Sequence, residues 1–142
     1  MSESVTSVPT VTYAGARLVL EASIARATSI GVPVNIAVAD PGGNLVAFAR
    51  MDGAALLSGS IAQDKAYTVA AFLGIPTHQW FGMIEGEPAL REGIVHRDRL
   101  VVFGGGVPLR VDGALVGAVG VSGGSAEQDR EIAEAGAAAL SA

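Results

Sequence analysis

The chain has no cysteine, which removes thiolate nucleophiles, disulfides and Cys-ligated metals together. It holds one lysine beside eight arginines, and two histidines in 142 residues. Two histidines do not fill a three-histidine zinc site, and neither stands in an H-E-x-x-H motif. Only 16% of the residues are charged, against about a quarter in average domains. No block of Lys or Arg occurs and the net charge is −5. The basic patch that counterion release from phosphates needs is therefore missing, which argues against nucleic acid and anionic membrane surfaces as partners. No apolar run of about 18 residues free of breakers exists, so no membrane span is expected. The start, "MSESVTSVPT", lacks the basic and apolar regions of a signal peptide. A cytoplasmic location is the default expectation.

What is present is apolar. Hydrophobic residues make up 50% of the chain and the mean hydropathy is +0.46. The length suits one domain with a real core. So few polar groups leave apolar surface that association would bury, so a homo-oligomer is expected.

Residues 1–11 are polar and read as a flexible N-terminal segment, followed by a single domain over 12–142. Apolar residues at Ala16, Val19, Leu20, Ile24 and Ala27 predict a helix over Thr12 to Ile30, stopped by Gly31 with Pro33 beyond it. Val34, Ile36 and Val38 alternate with Asn35 and Ala37, "DPGGN" supplies a turn, and Leu45 to Ala49 returns, a β-hairpin. Asp40 suits an Asx-type turn. Ser58 to Leu73 reads as a helix closed by Gly74 and Pro76. A looser region with short helical pieces follows, broken at Gly82, Gly86 and Pro88. Strands are expected at Leu100–Phe103, Val107–Val111 and Ala114–Val121, the last two joined by the Asp112–Gly113 turn. Ser125 with Gln128 forms a capping-box pattern before a last helix. Two strand groups flanked by helices predict an α/β (α+β) domain, an antiparallel sheet of about five strands with helices packed on it.

The lysine, Lys65, stands out by its phase. On the helix Ser58–Leu73, Ile61, Ala62, Val69, Phe72 and Leu73 share one arc, and Lys65 lies inside it. Asp64, Gln63 and Tyr67 occupy the other side. Either the stem covers apolar surface while the ammonium escapes to water, or the ammonium points into a pocket. Arg50 and Asp52 end the returning strand of the first hairpin, two residues apart and so on one face. They form a surface salt bridge or the polar rim of a pocket with Lys65.

"FGGGVP" (Gly104, Gly105, Gly106) and "GAVGVSGGS" (Ser122, Gly123) are the most unusual local compositions. Glycines permit positive φ and close approach of a ligand, and the second tract precedes a helix N-terminus. Neither has the spacing of a dinucleotide or P-loop motif, and turn geometry alone explains them equally well. Ser122 lacks a G-x-S-x-G elbow. His78 and His96 serve as surface residues or as axial ligands to haem iron.

The blocks "GVPVNIAVADPGGNLVAFARMDGA", "QDKAYTVAAF" and "GGGVPLRVDGALVGAVGVSGGSAEQD" together resemble the GlcG/HbpS/PduO C-terminal family of small haem-binding proteins, from about Tyr13 to Leu140. The resemblance implies a profilin-like fold and assembly into dimers up to octamers. It also implies that Lys65, Arg50, Asp52 and the "GGGVP" and "SGG" turns match recurring positions converging on one pocket. Some relatives bind haem or are described as haem-degrading, others are encoded beside catabolic pathways, and one similar group is a lyase acting on hydroxylaminobenzoate. Two readings follow. In the first the protein binds haem or a related small ligand, with His78 or His96 as axial ligand and Arg or Lys pairing with propionates. In the second it is a cofactor-free lyase, isomerase or hydrolase acting on a small carboxylated, aromatic intermediate. Lys65 would then be the carboxylate anchor or the general acid/base, Asp52 its partner, Arg50 a second cation fitting the carboxylate, and the glycine turns an oxyanion wall.

Overall fold

The computed structural model describes residues 2–140. Residue Thr12 caps α1 (Tyr13–Ile30) by accepting the Gly15 N–H, and Gly31, at φ 73°, ends it in the left-handed conformation. Gly has no Cβ to oppose that conformation, so it is the natural stop. The first hairpin follows, β1 (Asn35–Ala39) and β2 (Leu45–Arg50). Its turn is tied by the Asp40 carboxylate, which accepts the N–H groups of Gly42 and Asn44. Next come α2 (Leu57–Ala71), a short 3₁₀ turn at Thr77–Gln79, α3 (Trp80–Ile84) and α4 (Pro88–Ile94). The second hairpin, β3 (Gly106–Val111) and β4 (Ala114–Ser122), turns at Asp112 and Gly113, both at positive φ (52° and 81°). Two consecutive positive φ values define the tight turn that matches strand twist. The last helix, α5 (Ala126–Ala138), starts with the complete Ser125–Gln128 capping box.

The four strands form one antiparallel sheet in the order β2-β1-β4-β3. Helices cover both faces. On one face Val34, Ile36, Val38, Val119 and Val121 pack with Ala16 and Val19 of α1 and Ile132 and Ala133 of α5. On the other, α2 lies alone on a thin layer of Ala37, Ala39, Ala118, Ala62, Ala66, Val69 and Ala70. Small side chains let helix and sheet backbones approach closely. Gly120 of β4 sits directly under the Ala62 carbonyl and the Ala66 N–H, where no Cβ fits.

Two expectations are corrected. The sheet has four strands, not five, among the described residues, because Leu100–Phe103 forms no ladder. The Val101 N–H goes instead to the Thr68 hydroxyl at 3.0 Å, and Arg99 just before it holds φ 63°. Helix α2 also stops at Ala71, before Phe72 and Leu73. Leu73 turns to φ 60°, so these two side chains leave the helical wheel and are exposed (47% and 82%). Val11, at the end of the polar leading segment, is buried and donates its N–H to Val116 O at 2.8 Å. Among the described residues, no helix is long and apolar enough to cross a membrane.

Candidate functional site

Lys65 points inward, as its phase on α2 predicts, and is fully buried. Its stem runs between α2 and the sheet past Gly120, where an added Cβ would stand 3.0 Å from Lys65 Cβ. Its Nζ donates to the Val121 carbonyl at 2.8 Å and to Asp129 Oδ2 at 3.1 Å, and lies 5.1 Å from the centroid of the Phe103 ring. The carbonyl and the carboxylate take two of the three N–H donors of the ammonium, and the ring adds a cation–π contact. Burial pushes the Lys65 pKa below its usual 10.5, and the attraction and hydrogen bond of Asp129 oppose that shift. The other Asp129 oxygen accepts the Gly124 N–H at 2.9 Å. One ion pair thus joins α2, the end of β4, the SGG turn and the start of α5.

The partner is Asp129, not Asp52. Arg50 and Asp52 are exposed and border a shallow surface groove with Ile24 and Met51. They sit at the outer end of edge strand β2, and neither forms an ion pair among the described residues. The separation is lateral: Arg50 and Ser122 flank Asn35 in one row of the sheet, but β1 lies between β2 and β4, and Lys65 bonds to Val121 of β4.

The glycine tract packs around the lysine. Gly104, Gly105 and Gly106 are buried. Gly105, at φ 129°, would place a Cβ 2.6 Å from Lys65 Nζ and 2.5 Å from Val121 O. A Cβ on Gly106 would meet Lys65 O at 2.8 Å and Thr77 Cγ2 at 2.9 Å. Close packing on α2 therefore accounts for their being glycine. Ser122 is buried at the end of β4, while Gly123 is exposed at φ 145°.

The histidines differ. His96 is exposed in the turn after α4. His78 is half-buried in the 3₁₀ turn, whose position is fixed because Thr77 Oγ1 accepts the Gly106 N–H at 2.9 Å. A Cβ on Gly104 would lie 3.4 Å from His78 Cβ and 3.1 Å from Ala126 O, so His78 stands beside the glycine tract and the start of α5. Its Nδ1 is buried without a hydrogen-bond partner, and Nε2 bonds to no described residue either. Burial pushes its pKa below 6.5, and Arg130 adds to the shift, against the opposing pull of Glu134 and Glu127. Exposed apolar side chains occur at Phe81 (51%) and Met83 (42%) in the following α3, and at Phe103 (51%), next to Gly104 in the chain.

Sequence reasoning missed Asp129 and Arg130. The signal was available locally: the capping box fixes Ser125 as the cap and sets Asp129 and Arg130 in the first turns of α5, beside the end of β4. What it lacked was the pairing of residues 64 apart. Among the described residues, no group of three or more His, Cys, Asp or Glu is placed to hold a metal ion.

A three-layer sheet domain with α2 tied to α5 by a buried lysine, and a partner-free imidazole near the start of α5, defines a small α/β protein. A family model described as haem degrading protein HbpS-like matches residues 11–138, and the chain belongs to this HbpS-like family. It is 41% identical over 128 residues to a 15.0 kDa protein from the dhaT-dhaS intergenic region of Citrobacter freundii, covering 89% of each. It is 38% identical over 120 residues to the corrinoid adenosyltransferase PduO of Salmonella typhimurium, covering 84% of this chain but only 35% of PduO. Among solved structures it is similar to the Klebsiella pneumoniae protein ORFY (TM-score 0.89, 32% identity, 99% and 97% coverage). It also resembles a PduOC:heme complex (TM-score 0.83, 32% identity, 92% and 95% coverage).

Proposed function

We propose that this protein binds haem, with His78 as the axial ligand. The observation that carries the reading is the His78 imidazole: neither nitrogen is used by the fold, yet the ring is half-buried beside a backbone held by Thr77 and Gly104. Nδ1 is closed off by burial, so Nε2, which bonds to no described residue, is the nitrogen that would meet iron. The donor set fits haem. The imidazole stays neutral, as a ligand must, because burial and Arg130 lower its pKa. Phe81, Met83 and Phe103 offer exposed apolar surface for a planar macrocycle, and Arg130, beside His78, offers a cation for a propionate. Bound haem would supply an iron centre, whose reactivity follows from its axial ligand and surroundings. The solved haem complex of a relative at 32% identity supports haem as the ligand.

Lys65 has a structural part in this reading. Buried and bonded to Val121 and Asp129, it holds α5 and the glycine tract in register with α2, and so fixes the backbone that frames His78. The catalytic alternative gains no support, because Asp52 and Arg50 stand apart from Lys65. A homo-oligomer is favoured by exposed large apolar side chains, notably Leu56 (79%) and Leu57 (72%) beside Phe48 on the α2 face. Titration of haem into the purified protein, followed at the Soret band, tests the proposal: a saturable, shifted band supports it, and a linear, unshifted rise contradicts it.

A further inference from the structure

We infer that Lys65 also binds carbonyl compounds: when the Phe103 ring swings aside, an uncharged aromatic aldehyde enters the space it leaves and condenses with Nζ to an imine. This chemistry is independent of the haem reading and uses Asp129, not Asp52.

The opening follows from what surrounds the amine. Nζ meets the Val121 carbonyl, Asp129, the Gly105 backbone and the Phe103 ring. Val121, Asp129 and Gly105 are buried, whereas Phe103 is 51% exposed, so the way from Nζ to solvent passes the ring. That ring stands on a lightly held stretch of chain. On one side Thr68 accepts the Val101 N–H at 3.0 Å, and on the other Gly105 O accepts the Val121 N–H at 2.8 Å. Between them Val102, Phe103 and Gly104 make no hydrogen bond to a described residue, the mark of a segment that opens locally at low cost. Gly104 and Gly105 follow Phe103 and carry no side chains to obstruct its swing.

The chemistry of the amine selects the ligand. Two of its three N–H donors bond to the protein and one has no acceptor among the described residues. Asp129 already balances its charge. A ligand carboxylate would therefore stand against that aspartate with nothing to neutralise it, and an uncharged carbonyl is the group that fits. The space vacated by a phenyl ring takes a phenyl ring. Burial lowers the Lys65 pKa against the pull of Asp129, which raises the share of neutral amine, the form that attacks. Asp129 Oδ2, 3.1 Å from Nζ, takes the ammonium proton. Nζ then bonds to the carbonyl carbon. The carbonyl oxygen collects two protons, one from Asp129 and one from the amine, and leaves as water. The product is a protonated imine whose positive charge Asp129 still pairs.

Lys65 is the chain's only lysine, so reductive trapping with cyanoborohydride reads this site in one peptide by mass spectrometry. Haem-free protein would be incubated with benzaldehyde or with 4-carboxybenzaldehyde, beside Nα-acetyl-lysine as a reference amine. Relative to that reference, saturable labelling of Lys65 by benzaldehyde is expected, with at least roughly tenfold less by the anionic aldehyde, from like-charge repulsion. Phe103→Ala should speed the labelling and Phe103→Trp should slow it. Phe103 is half exposed, so both variants should keep the circular dichroism spectrum of the wild type. Labelling that is unsaturable, equal for the two aldehydes, or no faster in Phe103→Ala would each overturn the inference.

Discussion

Lys65 Nζ and Asp129 Oδ2 lie 3.1 Å apart, with side chains 1% and 4% exposed. Removing water from two charges costs several kcal/mol per ion, and close geometry recovers it only where further hydrogen bonds complete both groups. Here the Val121 carbonyl and the Gly124 N–H do so. Breaking such a pair by removing one partner typically costs about 3–5 kcal/mol, because the other charge is left buried and unpaired.

Asp129→Ala is therefore expected to destabilise the protein by about 3–5 kcal/mol in urea denaturation. Lys65→Met with Asp129→Leu is expected to cost less than Asp129→Ala alone, since no charge remains buried. A double variant costing the sum of its singles would contradict a coupled pair.

Stability should respond to alkaline pH. The folded-state pKa of Lys65 is lowered from 10.5, chiefly by burial. Between the lowered value and 10.5 the unfolded chain binds more protons than the folded one, so this group raises stability as pH increases through that window. Denaturation midpoints of the wild type relative to Lys65→Met should rise across the range just below 10.5. A falling difference would contradict the sign.

Gly105→Ala should be among the most damaging single changes. It combines φ 129° with a Cβ 2.5 Å from Val121 O and 2.6 Å from Lys65 Nζ. Strain and overpacking each cost about 1–3 kcal/mol, so a loss of roughly 2–6 kcal/mol is expected. Gly113→Ala, with open space around it but φ 81°, should show only the strain part. Equal losses at both positions would mean that close packing on Lys65 adds nothing.

Local features were legible in the sequence because local chemistry makes them. The Ser125 cap, the Gly31 stop, the Asp40 turn and the Asp112–Gly113 hairpin all use groups a few residues apart. The inward phase of Lys65 was legible for the same reason. Leu100–Phe103 was misread because its apolar, β-branched run suits a strand, while Thr68, on a distant helix, took the Val101 N–H. Phe72 and Leu73 fit the wheel of α2 only if the helix continues to them. The Asp129 partner of Lys65 was out of reach, since no local pattern links positions 64 residues apart. The expected Lys65–Asp52 pairing failed on strand order, which puts β1 between β2 and β4, the strand to which Lys65 bonds.

Acid pH should report on His78. The pKa of His78 is held below 6.5, so protons bind the unfolded state more readily between that lowered value and 6.5. Falling pH in this window should reduce stability, and His78→Gln should remove that share of the loss. Haem affinity, which needs a neutral imidazole, should stay level as pH passes 6.5 and fall only below it. A drop centred at 6.5 or above would point to an imidazole unshifted by burial.

The central claim is that His78 ligates haem, and a haem titration comparing His78→Ala with His96→Ala tests it most directly. Haem binding by His96→Ala should match the wild type, since His96 is exposed and outside the site. His78→Ala should weaken binding by at least roughly tenfold, the lower end of what even outer partners of a metal ligand command, with loss of the imidazole-ligated Soret signature. An unchanged Soret band and affinity in His78→Ala would contradict the account.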